Sequence, residues 1–226
     1  MFTRYAVYYT PAAGTPLAGF GADWLGWDSA AGVGRAHLPV DGVDLAEITA
    51  TPRKYGFHAT IKPPFRLAKD RTAEALSAAL ERLCDAAPAV ALEGLKVSRL
   101  GRFLALVPVG DTEPLARLAG SVVQELDPFR APPTEAELAK RRSARLSPAQ
   151  EANLQAWGYP YVMDQFRFHM TLTGRLDATT LERAEAALAA PLAALRLSPY
   201  PINGLTLFGD DAQGMFHQIE RFALRG

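Results

Sequence analysis

An α+β protein of two pseudo-twofold-related lobes, with antiparallel sheets lining one central cleft and helices outside, is the expectation from three features of this 226-residue chain. The order strand, helix, strand, strand occurs twice, over about 55–109 and 165–224. His58 and His169 lie at the openings of the two copies, 111 residues apart, and the last strands begin at Arg102 and Met215, 113 apart, so the spacing holds through the unit. Hydrophobic residues make up 49% of the chain against 21% charged, enough to bury a real core. Two long copies are too few for a stacked repeat, so one domain over 1–226 made of two facing lobes is expected.

The first strand, about 3–9, ends before Pro11, and Leu17–Trp27 has the pattern of a helix. A polar loop runs to Thr51-Pro52. Tyr55–Phe65 is expected to be extended up to the strand-breaking pair Pro63-Pro64. Thr72–Ala87 places Leu76, Leu80 and Leu83 at helical spacing behind a Thr cap, and Pro88 stops it. Val90–Val97 and Arg102–Val109 form two strands around a Gly turn. A helix over Glu113–Leu126 precedes the Pro-rich break Asp127–Pro133, and two further helices, Thr134–Arg145 and Pro148–Trp157, make an insertion before the loop Gly158-Tyr159-Pro160. The second copy reads as an extended segment Gln165–Thr173, a helix Ala178–Ala190 broken by Pro191, and strands Pro201–Phe208 and Met215–Leu224.

Charge narrows the function classes. Lys plus Arg (24) equals Asp plus Glu (24), so no overall positive field recruits a polyanion, and any anion must be held locally. The single cysteine, Cys84, excludes an internal disulfide and a Cys-rich zinc module, and fits a reducing compartment. The N-terminus lacks the pattern of a signal peptide, and no apolar run approaches the roughly 20 residues of a membrane span. A cytoplasmic protein with small-molecule chemistry is expected.

The strongest signal is the pair Phe57-His58-Ala59-Thr60-Ile61 and Phe168-His169-Met170-Thr171-Leu172. Side chains alternate along a strand, so each His shares a face with the Thr two residues on, while Phe, the variable residue and the aliphatic residue share the other. The second segment thus sends Phe166, Phe168, Met170 and Leu172 into the core and Arg167, His169, Thr171 and Thr173 to the opposite face. The first sends Gly56, His58, Thr60 and Lys62 there. Two imidazoles with pKa values near 6.5 suit displacement at phosphorus, one taking a proton from water and the other giving one to the leaving oxygen. Thr hydroxyls beside them can donate to non-bridging phosphoryl oxygens, with Lys62 and Arg167 adding compensating charge.

The two His-x-Thr-x tetrapeptides resemble those of the 2H phosphoesterase superfamily, whose fold is two βα lobes around a cleft (2H phosphoesterase or RNA-ligase-like). The longer context Pro52–Phe65 with Arg167–Gly174 resembles the branch found as a phosphonate metabolism protein beside carbon–phosphorus lyase genes. The resemblance implies metal-independent hydrolysis of a cyclic phosphodiester to a phosphomonoester, with His58 and His169 as the acid–base pair and Thr60 and Thr171 as phosphate donors. It also implies a sugar cyclic phosphate, such as 5-phosphoribosyl 1,2-cyclic phosphate, as substrate. Lys62, Arg167 and Thr173 join the phosphate-binding set by strand parity; Arg53, Lys54 and Tyr55 join by proximity. No cofactor or metal is expected. The 134–157 insertion lies outside the minimal pattern and is a candidate cap over the cleft.

Three rival readings remain open from the residues. RNA 2′,3′-cyclic ends or 2′–5′ linkages are one, disfavoured by the zero net charge. A non-catalytic phosphate-binding module is another. A His-based metal site is the third, disfavoured because no Asp or Glu falls on the motif face. Of the other histidines, His37 is expected to be solvated and His217 structural. Lys140-Arg141-Arg142 with Arg145 reads as a solvated helix face able to meet a second phosphate. Asp210 and Asp211 read as turn residues and Cys84 as inert core.

Overall fold

The computed structural model describes residues 2–226. In chain order the elements are β1 (Tyr5–Tyr9), α1 (Pro16–Leu25), a small hairpin of β2 (Trp27–Asp28) and β3 (Val33–Gly34), α2 (Leu45–Ile48), β4 (Ala59–Phe65), α3 (Ala73–Ala86), β5 (Val90–Leu92), β6 (Gly94–Leu100), β7 (Phe103–Val109) and α4 (Glu113–Glu125). They continue with α5 (Glu135–Arg142), α6 (Pro148–Trp157), β8 (Met170–Thr171), α7 (Ala178–Ala193), β9 (Tyr200–Ile202), β10 (Gly204–Asp210) and β11 (Phe216–Ala223). Short 3-10 turns occupy Pro52–Tyr55, Asp127–Phe129 and Met163–Gln165.

The helices start where the polar caps predict. The Thr72 hydroxyl accepts from Ala75 N at 3.2 Å, the Asp177 carboxylate accepts from Thr180 N at 3.0 Å, and Thr134 and Ser147 close reciprocal capping boxes on α5 and α6. The helix α7 runs three residues past the predicted stop at Ala190. Pro191 sits in its last turn, where it removes one ladder bond, that to the Ala187 carbonyl, and the helix ends two residues later.

The fold is α+β, with one antiparallel seven-stranded sheet in the order β11-β10-β1-β4-β8-β7-β6. Its two halves meet at a single pairing, Ala59 opposite Met170, so the two motifs lie side by side where the halves join. Each half combines the motif strand of one copy with the terminal hairpin of the other. The strand β4 and its helix α3 lie with β10 and β11, while β8 and α7 lie with β7 and β6. The crossing segments themselves pair: β5 leads from α3 to β6, β9 leads from α7 to β10, and they run antiparallel with Val90 opposite Ile202 and Leu92 opposite Tyr200. The N-terminal strand β1 breaks the symmetry by inserting between β4 and β10. Its alternation serves both faces. Val7 and Tyr9 enter the main core, while Ala6 and Tyr8 join Phe208 and Phe216 in a second cluster on the other face.

The main core is continuous, running from Leu76 and Leu80 on α3 through Leu104 and Leu106 on β7 to Leu188 on α7. Among the described residues no helix is long and apolar enough to cross a membrane.

Candidate active site

The alternation predicted at the two motifs holds as far as each Thr. Phe57, Ala59, Phe168 and Met170 are buried in the core, whereas His58, Thr60, His169 and Thr171 are half-buried on the opposite side. Both histidines sit immediately before their strands, and both rings are held in the same way. The Nδ1–H of His58 donates to the carbonyl of Gly56 at 2.9 Å, and that of His169 donates to the carbonyl of Arg167 at 2.8 Å. A carbonyl only accepts, so Nδ1 carries a proton in both rings and Nε2 is the nitrogen left to exchange one. The Nε2 of His58 accepts from the Thr60 hydroxyl at 3.2 Å, and that of His169 has no partner among the described residues.

Gly56 delivers its carbonyl from φ 71° and ψ 178°, a region open essentially to Gly, and a Cβ there would lie 2.7 Å from the Ser29 hydroxyl. Gly21 admits the first motif from beneath, because a methyl at that position would overlap the Phe57 ring. The His58 ring stacks on Tyr8, centroids 3.9 Å apart and planes 26° apart. Burial holds the His58 imidazole down at about 4; the Gly56 hydrogen bond opposes this, and the neighbouring His169 adds to the depression. His58 is therefore neutral at pH 7, with its Nε2 lone pair held by the Thr60 hydroxyl. Burial also raises the Tyr8 phenol well above its ordinary value.

Thr60, Arg167 and His169 line a single cavity of about 510 Å³. His58 stands one hydrogen bond behind Thr60, outside the lining. The insertion and the loop after it supply the far wall, with Gln150 on α6, Tyr159, Tyr161 and Gln165. Phe166 packs against the main core, as expected, and also forms part of this wall. Tyr8 and Tyr159 carry no signal in the sequence that singles them out. The run Tyr5–Tyr9 does have the alternation that puts Tyr8 on the motif face, but only if β1 lies next to β4, and periodicity does not report a partner.

Two of the parity assignments are corrected by a bulge that occurs in both copies. On β4, Thr60 lies opposite Tyr8 and Lys62 opposite Val7, so two steps on β4 match one on β1 and the faces exchange. On β8 the amides of Leu172 and Thr173 both donate to the Leu104 carbonyl, at 2.9 and 3.3 Å, the same two-against-one arrangement. Lys62 therefore leaves the motif face. It is 2% exposed, donates to the Val123 carbonyl at 3.0 Å and lies 3.6 Å from Asp127. Thr173 is 1% exposed, donates to the Gly174 carbonyl and accepts from Leu104 N, so it secures the end of β8. Arg53 is likewise structural, bound to the Leu25 and Ala46 carbonyls.

Burial holds the Lys62 ammonium down to about 8, against Asp127, which favours the charged form. Its ordinary value is 10.5, so between about pH 8 and 10.5 the unfolded chain keeps a proton that the folded chain has lost. Stability is expected to rise with pH across that window, by up to about 3 kcal/mol. In urea titrations, Lys62→Met is expected to remove this rise relative to the native chain; an unchanged slope would place the responsible group elsewhere.

The remaining candidates separate cleanly. The Tyr55 ring lies 6.1 Å from that of His58 and stacks on Phe216 at 5.0 Å, while Lys54 is exposed. His37, expected to be solvated, instead packs on Gly26 and bonds the Trp24 carbonyl at 3.0 Å, because the loop folds back on α1. His217 bonds Asp211 in its own hairpin at 2.8 Å, and Asp210, 3% exposed, pairs with Arg4. Cys84 is fully buried and its thiol is pushed up to about 12 by that burial. Of the basic cluster, Arg142 is turned onto Glu151 at 2.7 Å, whereas Lys140 and Arg141 face a second cavity. Among the described residues no group of three or more His, Cys, Asp or Glu side chains is placed to hold a metal ion.

A family model described as a protein of unknown function, DUF1045, matches residues 60–217, from Thr60 of the first motif to His217 in the final hairpin. The chain belongs to the DUF1045 family. Two curated relatives of this DUF1045 chain carry the name ribose 1,5-bisphosphate phosphokinase PhnN. The one from Janthinobacterium sp. (strain Marseille) is 41% identical over 235 residues, covering 99% of this chain and 51% of the relative. The one from Laribacter hongkongensis is 35% identical over 221 residues, covering 96% and 51%. The DUF1045 chain thus spans about half the length of both. Similar solved structures include E. coli LigT complexed with NADP+, at 15% identity and a TM-score of 0.45 over 100% of both chains. TT0787 of Thermus thermophilus is similar at 17% identity and a TM-score of 0.45, over 99% of this chain and 98% of its own.

Proposed function

We propose that this DUF1045 chain is a phosphodiesterase that hydrolyses a small cyclic phosphodiester, such as a sugar 1,2-cyclic phosphate, to a phosphomonoester. The observation that carries the reading is the matched pair of imidazoles, each clamped at Nδ1 by the carbonyl two residues back, with His169 lining the cavity and the His58 Nε2 bonded to Thr60 on its wall. That arrangement is what proton transfer on two sides of a phosphorus centre requires. Neutral His58 is the base. Its Nε2 takes a proton from water as the water oxygen bonds to phosphorus, and the P–O bond to the ring oxygen breaks. His169, entering as the imidazolium, gives its Nε2 proton to that departing oxygen, and exchange with solvent resets both rings. As water replaces it on the His58 Nε2, the Thr60 hydroxyl turns to a non-bridging oxygen and donates there together with the Thr171 hydroxyl and the Arg167 guanidinium, where charge accumulates in the transition state. The phosphoribose named for the two curated relatives supports a phosphorylated sugar over an RNA end.

The test is turnover, followed by phosphorus NMR, of a panel containing ribose 1,2-cyclic phosphate, its 5-phosphate and 2′,3′-cyclic nucleotides, with chelator in excess. Ring opening of a sugar cyclic phosphate to a monoester is expected. Binding across the panel without turnover would replace the enzyme with a phosphate-ligand module. Turnover that disappears with chelator and returns with one metal would replace the two-histidine mechanism.

A further inference from the structure

Beside the motif cavity lies a second one, of about 230 Å³, whose charged lining is almost all of one sign: Arg4, Arg66, Arg130, Lys140 and Arg141 against Glu137. Three of the cations are already served. Arg4 is paired with Asp210 at 2.6 Å, Arg130 with Asp127 at 2.7 Å and Arg66 with Glu137 at 3.0 Å. Lys140 has no side-chain partner among the described residues. Arg141 has no carboxylate, and its guanidinium lies 4.6 Å over the Tyr159 ring. The cavity therefore holds two cations beyond what its carboxylates neutralise, in a chain whose formal net charge is zero. A phosphomonoester carries about −1.5 to −2 at neutral pH, which matches that excess. An arginine spread flat on an aromatic ring keeps its edge N–H groups free to donate.

The two cavities are neighbours along the same pieces of chain. On β4, Thr60 and Pro63 line the motif cavity, and Pro64 and Phe65, with Arg66 just after the strand, line the basic one. After α6, Gly158 lines the basic cavity, and Tyr159 lines the motif cavity. Tyr55, which lines the basic cavity, has its ring 6.1 Å from that of His58. The Tyr159 ring, which lines the motif cavity, carries over its face the guanidinium of Arg141, which lines the basic one, so this pair stands between the two.

We infer that the cavity between β4 and α5 is a subsite for a phosphomonoester carried by the same substrate whose cyclic phosphate is opened at the two histidines. The inference rests on the hydrolytic reading and narrows it, because the preferred substrate is then a sugar bearing two phosphorus groups at separate positions. It also gives the insertion a role, since Lys140 and Arg141 belong to α5 and their capture of the second phosphate selects among cyclic phosphates that share a reacting group.

Two measurements keep this apart from the reaction itself. Calorimetric binding of ribose 5-phosphate, which has no cyclic phosphate, is expected to weaken at least tenfold in a Lys140→Gln, Arg141→Gln double variant and to persist in a His58→Ala, His169→Ala double variant. Binding unaffected by the first change, or lost with the second, would overturn the subsite whatever the enzyme turns over. Among substrates, the ratio of kcat/KM for ribose 1,2-cyclic phosphate with and without the 5-phosphate is expected to fall by about tenfold or more in the Lys140→Gln, Arg141→Gln variant, through KM. An unchanged ratio would also refute it. If no cyclic phosphate is opened by the native chain, the hydrolytic reading fails while the ribose 5-phosphate measurement still decides the subsite.

Discussion

Replacing either motif histidine with alanine is expected to lower kcat/KM on the cyclic phosphate by about 10²–10⁴-fold, the usual worth of a positioned acid or base. The two variants should differ in their pH dependence. With His58 held down at about 4 by burial, activity of the free enzyme should fall on the acid side through that value rather than near 6.5, and His58→Ala should lose that limb. His169→Ala should lose the alkaline limb, since it is the group that must enter protonated. The same depressed value makes a statement about folding. Between about pH 6.5 and 4 the unfolded chain binds a proton at His58 that the folded chain refuses, so the contribution of this group to stability declines as the pH is lowered through that window. His58→Gln should flatten that part of the urea-midpoint profile. A rate profile flat from pH 3 to 9, or an acid limb that survives His58→Ala, would remove His58 from the role of base.

Trp24→Ala is expected to cost about 3–5 kcal/mol, the range for deleting a large buried aromatic. Trp24 on α1 is fully buried, packs against Phe20 with centroids 5.7 Å apart, and donates its indole N–H to the Leu172 carbonyl at 2.8 Å. That bond fastens the second motif, at its bulge, to the N-terminal helix. A loss of this size is a large part of the roughly 5–15 kcal/mol that holds a typical native domain together. Trp24→Phe should keep most of the packing and lose mainly the hydrogen bond, at about 1–3 kcal/mol for a buried acceptor left unpaired. Chemical denaturation of both variants measures the two costs. A change below about 1 kcal/mol for Trp24→Ala would show that α1 is not integral to the domain. The point matters because the family match begins at Thr60, whereas Tyr8, Trp24 and Gly56, which stack on, fasten or clamp the motifs, all precede it.

Much of the site is legible directly in residue order. Phe-His-x-Thr written twice at matched spacing puts His58, Thr60, His169 and Thr171 on the side away from the core, because alternation across two residues depends on the backbone alone. Lys62 and Thr173 are misplaced by the same rule for a related reason. Parity carried two residues past each Thr runs through a bulge that exists only because β1 and β7 pair there with one residue against two. Arg167 precedes the strand, and parity places it correctly on the cavity wall.

The order of residues was enough for the longer helices, the turns of the β6–β7 and β10–β11 hairpins and the apolar side of each motif, since each depends on neighbours within a few positions of the chain. By the same order α2 reads as loop, and β5 runs into β6 and β9 into β10, because those strands are separated by the sheet each joins. Packing alone settled which hairpin accompanies which motif strand, the entry of β1 between β4 and β10, the stacking of Tyr8 on His58 and the convergence of five cations beside the cleft. Those outcomes depend on contacts between segments scores of residues apart, and local periodicity, which records the face a side chain takes, carries no information about what lies across from it.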